Sequence, residues 1–186
     1  PFQNNTNLNT GPLKGTQNIL NIQPVIPIEV NPEWNIITRT ILPVISQPAM
    51  FPGDDRTNGI GDMVVTAFLS PAVPKGLIWG VGPVFLIPIA TDSLLGTEKW
   101  GIGPTAVVLK QEGAWTYGAL ANHLWDFAGD DSRSSVNATY LQPFLAYITP
   151  TKTTFSLNTE TTYDWQNDQW TVPVNFQISQ VSTVPK

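Results

Sequence analysis

TTFSLNTETTYDW, Thr153–Trp165, followed after four residues by WTVPVNFQISQ, Trp170–Gln180, alternates with a period of two in both halves. In the first half Phe155, Leu157, Thr159, Thr161, Tyr163 and Trp165 share one parity, and Ser156, Asn158, Glu160, Thr162 and Asp164 share the other. In the second, Trp170, Val172, Val174, Phe176 and Ile178 alternate with Thr171, Pro173, Asn175, Gln177 and Ser179. Successive side chains of an extended strand point to opposite faces, so each half reads as a strand with one apolar and one polar side. Both runs exceed the common length of a globular strand. Long two-faced strands with aromatic ends predict a transmembrane β-barrel. The apolar side would meet lipid, the polar side a lumen, and Tyr163, Trp165 and Trp170 an interface girdle.

Composition narrows the alternatives. At 186 residues and 41% hydrophobic content the chain can bury a core, and residues 1–186 read as a single domain. Charged residues make up 12%, about half the usual share of a soluble domain, and Asn, Gln, Ser and Thr carry the polarity instead. A net charge of −5 without clustered Lys or Arg argues against nucleic acid as a partner. The absence of cysteine removes disulfides and thiolate metal sites. No apolar run reaches the roughly 18 residues of a membrane helix; the nearest, residues 77–90, is interrupted by Gly80, Gly82, Pro83 and Pro88. Pro1 reads as an internal residue, with any secretory signal lying outside this sequence.

Proline and glycine recur too closely for long helices, and ten strands are predicted: 2–10, 16–30, 34–47, 59–70, 77–90, 100–110, 115–127, 136–149, 153–165 and 170–180. Connections at 31–33, 71–76, 111–114 and 150–152 are short, whereas those at 48–58, 91–99 and 128–135 are longer. An antiparallel meander with periplasmic turns and exterior loops sorts its connections this way. The connections at 166–169 and 11–15 are short where the alternation calls for long ones. Pro24, Pro43, Pro83, Pro88, Pro104, Pro143 and Pro173 each remove a ladder donor, so bulges or local breaks are expected at some of them. WGVGP at Trp79–Pro83 recurs as WGIGP at Trp100–Pro104. Neither opens a helix or supplies a third glycine, so the echo marks reshaped neighbouring strands and not a dinucleotide site.

Side chains capable of chemistry are few. His123 is the only histidine, and no nucleophile motif accompanies it, so it reads as structural or lumen-facing. Asp54-Asp55 and Asp130-Asp131 lack calcium-loop spacing and read as solvated loop charge. Glu160 and Asp164 share a face but stand roughly 13 Å apart along a strand, too far for a glycosidase pair. No enzyme activity, metal or cofactor is expected. The polar parity instead nominates lumen-lining residues: Asn21, Gln23, Arg39, Asp62, Gln142, Asn158, Glu160, Thr162, Asn175 and Gln177. Among them Arg39, Asp62 and Glu160 need water or partners inside a membrane and are expected in a hydrated network.

Several stretches together carry a family likeness: GIGD at Gly59–Asp62, FLSP at Phe68–Pro71, the two Trp-Gly-x-Gly-Pro segments, LGTEKWGIGP at Leu95–Pro104 and WTYGAL at Trp115–Leu120. NIQPVIP at Asn21–Pro27, ISQP at Ile45–Pro48 and YDW at Tyr163–Trp165 extend it over nearly the whole chain. The sequence resembles the bacterial outer-membrane family named after the meta-pathway of phenol degradation. The resemblance implies an outer-membrane barrel that passes small compounds, aromatic or hydrophobic ones among them. It implies no catalytic residue. It also implies about twelve strands, so a further hairpin is expected beyond Val184-Pro185-Lys186. The expected fold is therefore an all-β antiparallel up-and-down barrel, with lipid and a small solute as its partners. A structural or adhesive envelope barrel with a filled lumen is the second reading. The third is a soluble β-sandwich, in which Phe155, Leu157, Val172, Val174 and Phe176 would be buried between sheets.

Overall fold

The alternating segments, punctuated by Gly, Pro and Asn, form one antiparallel sheet. The computed structural model describes residues 2–180. Expectations attached to Pro1 and to a hairpin beyond Lys186 lie outside these residues. The strands are β1 (Phe2–Thr10), β2 (Gly15–Ile22), β3 (Val25–Asn31), β4 (Trp34–Gln47), β5 (Thr57–Ile60), β6 (Met63–Pro71) and β7 (Leu77–Ile87). They continue as β8 (Lys99–Glu112), β9 (Trp115–Gly129), β10 (Asn137–Ile148), β11 (Thr153–Thr159), β12 (Thr161–Asp164), β13 (Gln169–Thr171) and β14 (Val174–Gln180).

The fourteen strands compose ten long ones. β2 and β3 both pair with β4, as do β5 and β6; β11 and β12 both pair with β10; β13 and β14 pair with β12 and β11 in turn. Each interruption has a local cause. Pro24 has no N–H to give, although its carbonyl still accepts from Thr40 N at 3.1 Å. Between β5 and β6 the register on β4 shifts from Val44↔Ile60 to Ile41↔Val64, so Gly61 and Asp62 form a bulge. Pro173 sits opposite Glu160, and both strands break there. Pro43, Pro83, Pro104 and Pro143 lie within strands, so only part of the expected interruption occurs. Pro88 lies past the end of β7, which stops at Ile87 instead of running to residue 90.

The repeated Trp-Gly-x-Gly-Pro segments do lie on neighbouring strands, with Pro83 directly opposite Pro104. A Cβ on Gly103 would come 1.6 Å from the His123 carbonyl oxygen. β8 and β9 therefore approach so closely that no larger residue fits.

Antiparallel partners project to the same side of a sheet, so the registers carry one side assignment around all fourteen strands. One side holds Thr66 at 4% exposure, Val84 at 0%, Thr105 at 4% and Leu120 at 7%; their strand neighbours Val81, Ile102 and Val108 are 41–47% exposed. The described residues form a single sheet with no second layer, which buries one face by curling around it. Phe68, Val84, Leu86 and Leu120 form this inner core along β6–β9. Among the described residues the curl is not closed by hydrogen bonds, because there β1 pairs only with β2 and β14 only with β11. The two ends nevertheless face one another across a cavity of about 440 Å³, to which Asn5 and Asn7 of β1 and Thr171 and Asn175 of the last strands contribute.

Connections at 32–33, 72–76, 113–114 and 149–152 lie at one end, and those at 11–14, 48–56, 88–98, 130–136 and 165–168 at the other. The three longest share the second end. The two-residue turn at 113–114 places Gly113 at φ +58°, a conformation glycine adopts without a steric penalty.

Candidate functional site

The inner face begins with amide side chains. On β1, Gln3, Asn5 and Asn7 take the inner parity, since they pair with Asn21, Ile19 and Gln17. Gln23, 8% exposed in the β2–β3 break, donates from Nε2 to Gln3 Oε1 at 3.0 Å and accepts from Arg39 Nη2 at 2.9 Å. A second chain of amides, Asn7 to Gln17 to Gln47, runs parallel above it. Buried polar groups are stable when their donors and acceptors are satisfied, which is what these chains provide.

The far wall repeats the chemistry. Asn175 Nδ2 donates to Asn158 Oδ1 at 3.0 Å, and Gln142 Nε2 donates to Glu160 Oε1 at 3.3 Å. Thr162 stands opposite both Tyr140 and Thr171, and Gln177 opposite Ser156, all on the inner side. Tyr140 lies within electrostatic range of both Glu160 on its own wall and Arg39 on the facing one. Nine of the ten nominated residues thus share the inner face as open or network-bonded side chains: Asn21, Gln23, Arg39, Gln142, Asn158, Glu160, Thr162, Asn175 and Gln177.

Asp62 has a different task. Its carboxylate accepts from Ala90 N at 3.3 Å, from Thr97 Oγ1 at 2.7 Å and from Thr97 N, so it is spent on holding the 88–98 loop. That loop folds inward, where Leu95, 7% exposed, rests against Gly59 and Gly61. From the neighbouring loop, Arg133 donates to the carbonyls of Ser93 and Gly96 and pairs with Glu98 at 3.4 Å. Beneath it Lys99, 5% exposed, pairs with Asp126 at 3.7 Å. A cavity of about 460 Å³ opens between this loop, residues 132–137 and the Asp164–Asn167 turn. Asp130 caps its loop through Ser132 N at 2.8 Å and Ser132 Oγ at 2.7 Å, and these bonds hold its carboxyl below the ordinary aspartate range.

The outer side contrasts sharply. All seven tryptophans take the outer parity. Trp34, Trp79 and Trp115 lie toward the short-turn end, where Trp34 meets Trp79 at 6.1 Å and Trp115 meets Tyr147 at 4.7 Å. Trp100, Trp125, Trp165 and Trp170 lie toward the long-loop end, with Tyr163 at 4.7 Å from both Trp165 and Trp170. On β9, Trp115 and Trp125 are ten residues apart, about 34 Å along the strand, which would be about 26 Å in height at the tilt of about 40° that barrel strands take. Between the two rings β6–β8 present Val65, Leu69, Val81, Phe85, Ile102 and Val108. Across the sheet the outer charges of the strands are Lys110 and Glu112, at the end of β8.

His123 also lies outside. Its Nδ1 bonds Thr139 Oγ1 at 2.7 Å, its ring packs 4.1 Å from that of Trp125, and Nε2 has no hydrogen-bond partner among the described residues. Trp165 Nε1 donates to the same threonine at 2.9 Å, placing the histidine within the upper ring. No three His, Asp or Glu side chains converge as metal ligands among the described residues.

Sequence parity located the Tyr163, Trp165 and Trp170 group but missed the ring at the other end. Its signal was available, since Trp34, Trp79 and Trp115 each stand at or near the start of a strand after a short turn. The amides of β1 gave no such signal, because FQNNTNLNT is polar at both parities.

No known protein family, characterised protein or solved structure matches the chain.

Proposed function

We propose that this chain is the wall of a β-barrel that spans a bacterial outer membrane and passes small solutes. The observation that carries the reading is the outer belt: apolar side chains between two rings of tryptophan separated by about the 25 Å height of a barrel's lipid-facing band. Val172, Val174, Phe176 and Ile178 are 59–73% exposed there, and among the described residues no second sheet covers them. In water such a surface would drive association; in a bilayer it is the favourable side.

The inner face supports passage through its mixed character. One arc carries Gln3, Gln23, Arg39, Glu160 and Asn175, the other Phe68, Val84, Leu86 and Leu120. A small aromatic or otherwise apolar compound with a polar group would find both surfaces. Liposome swelling tests the proposal: vesicles containing the folded protein should admit small solutes faster than empty vesicles and exclude large oligosaccharides.

A structural barrel with a filled interior is the second reading. The inward 88–98 loop and the buried Phe68–Leu120 cluster favour it. Correctly inserted protein that leaves swelling at the empty-vesicle rate would select this reading over passage.

A further inference from the structure

Among the described residues Glu160 stands at the one level where two adjacent strands break together, opposite Pro173. Glu160 keeps the inner parity of Asn158 and Thr162 and lines the 440 Å³ cavity with Asn5, Asn7, Thr171 and Asn175. Its hydrogen-bond partner is the neutral amide of Gln142 at 3.3 Å. The three ion pairs of the described residues involve neither Glu160 nor Arg39. A charge inside a membrane-spanning structure that lacks a counter-ion is a functional feature by default, since burial without a partner or water is unfavourable.

Carboxylates outnumber cations among the inner charges that have no ion pair within the described residues. Lys99 is neutralised by Asp126, and Arg39 is turned toward Gln23. Glu29 and Asp164 add carboxylates toward the two ends, with no cation within ion-pair distance among the described residues. Amides and hydroxyls line the space around Glu160 and can solvate an ion of either sign, so the fixed charge decides between them. Carboxylates facing a passage attract cations and repel anions, an effect that narrow low-dielectric walls focus.

We infer that Glu160 makes the passage prefer small cations to small anions, with Arg39 on the facing wall as the opposing charge. This rests on the proposed channel. Glu160 is a selectivity determinant, and the class of solute it favours is monovalent cations and small organic ammonium compounds.

The test is the reversal potential of the purified, folded protein in planar bilayers under a potassium chloride gradient at low ionic strength. Wild-type protein should be cation-selective. Glu160→Gln, which keeps the shape and can still bond Gln142, should lower the potassium-to-chloride permeability ratio about twofold or more, the scale expected for one charge lost from a partly water-filled passage. Arg39→Gln should raise it. Asn175→Asp, which adds a carboxylate to the same cavity, should also raise it and gives a second reading if Glu160→Gln folds poorly. Conductance that is unselective or anion-selective, or a ratio unmoved by both cavity variants, overturns the role of Glu160 and leaves the channel standing. Absence of conductance from protein shown to be inserted overturns channel and selectivity together.

Discussion

Replacing Val174 by arginine separates a lipid-facing surface from a wet one. Val174 is 73% exposed on the outer side, opposite Thr159. It follows Trp170 of the upper ring by four residues, which is about 10 Å of depth at a strand tilt of about 40° and places it near the middle of a band about 25 Å tall. Arginine at that depth costs about 2–4 kcal/mol, or roughly 30- to 900-fold in the folding equilibrium. At so exposed a position in water the same change would stay within about 0.5 kcal/mol. The control is next door. Asn175→Arg faces inward and gives up one hydrogen bond to Asn158, worth about 1 kcal/mol. The assay is reversible guanidinium unfolding of both variants in phospholipid vesicles, followed by tryptophan fluorescence. A neutral Val174→Arg beside a costly Asn175→Arg would refute the side assignment.

Asp62→Ala should release the 88–98 loop, seen as lost hydrogen-exchange protection at Thr97 and Ala90 with little change in the sheet amides. Lys99→Met leaves Asp126 without its cation and should destabilise by about 3 kcal/mol, the lower end for a buried pair because Asp126 keeps some solvent access and its bond from Val136 N; adding Asp126→Leu should recover part of that loss in the same unfolding assay. Asp130 is depressed by Ser132, so its contribution to loop order is present above the unfolded aspartate pKa and is lost as pH falls through the lower folded value. Ser132→Ala should move the Asp130 carboxyl signal in an NMR titration upward, toward the ordinary aspartate value.

Alternation made the last hairpin legible because every side chain of that pair alternates and the strands carry their register unslipped, from Thr153↔Gln180 to Asp164↔Gln169. Pro24 and Pro173 announced their breaks through the missing donor. Along β7 the sequence was silent about sides, since LIWGVGPVFLI is apolar at both parities and only burial distinguishes Val84 from Val81. The partners of Asp62, Ala90 and Thr97, were not legible for a different reason. They come from an aperiodic loop whose inward path depends on the missing side chains of Gly59 and Gly61, a tertiary fit that no local pattern encodes.

Spin labels at Leu157, Val174, Asn158 and Asn175 test the two-sided wall most directly, one label at a time in protein reconstituted into vesicles. Labels at Leu157 and Val174 should respond to oxygen dissolved in the lipid, and labels at Asn158 and Asn175 to a water-soluble nickel chelate. The opposite pattern, or chelate access at all four positions, would contradict a membrane-spanning wall with this inner face.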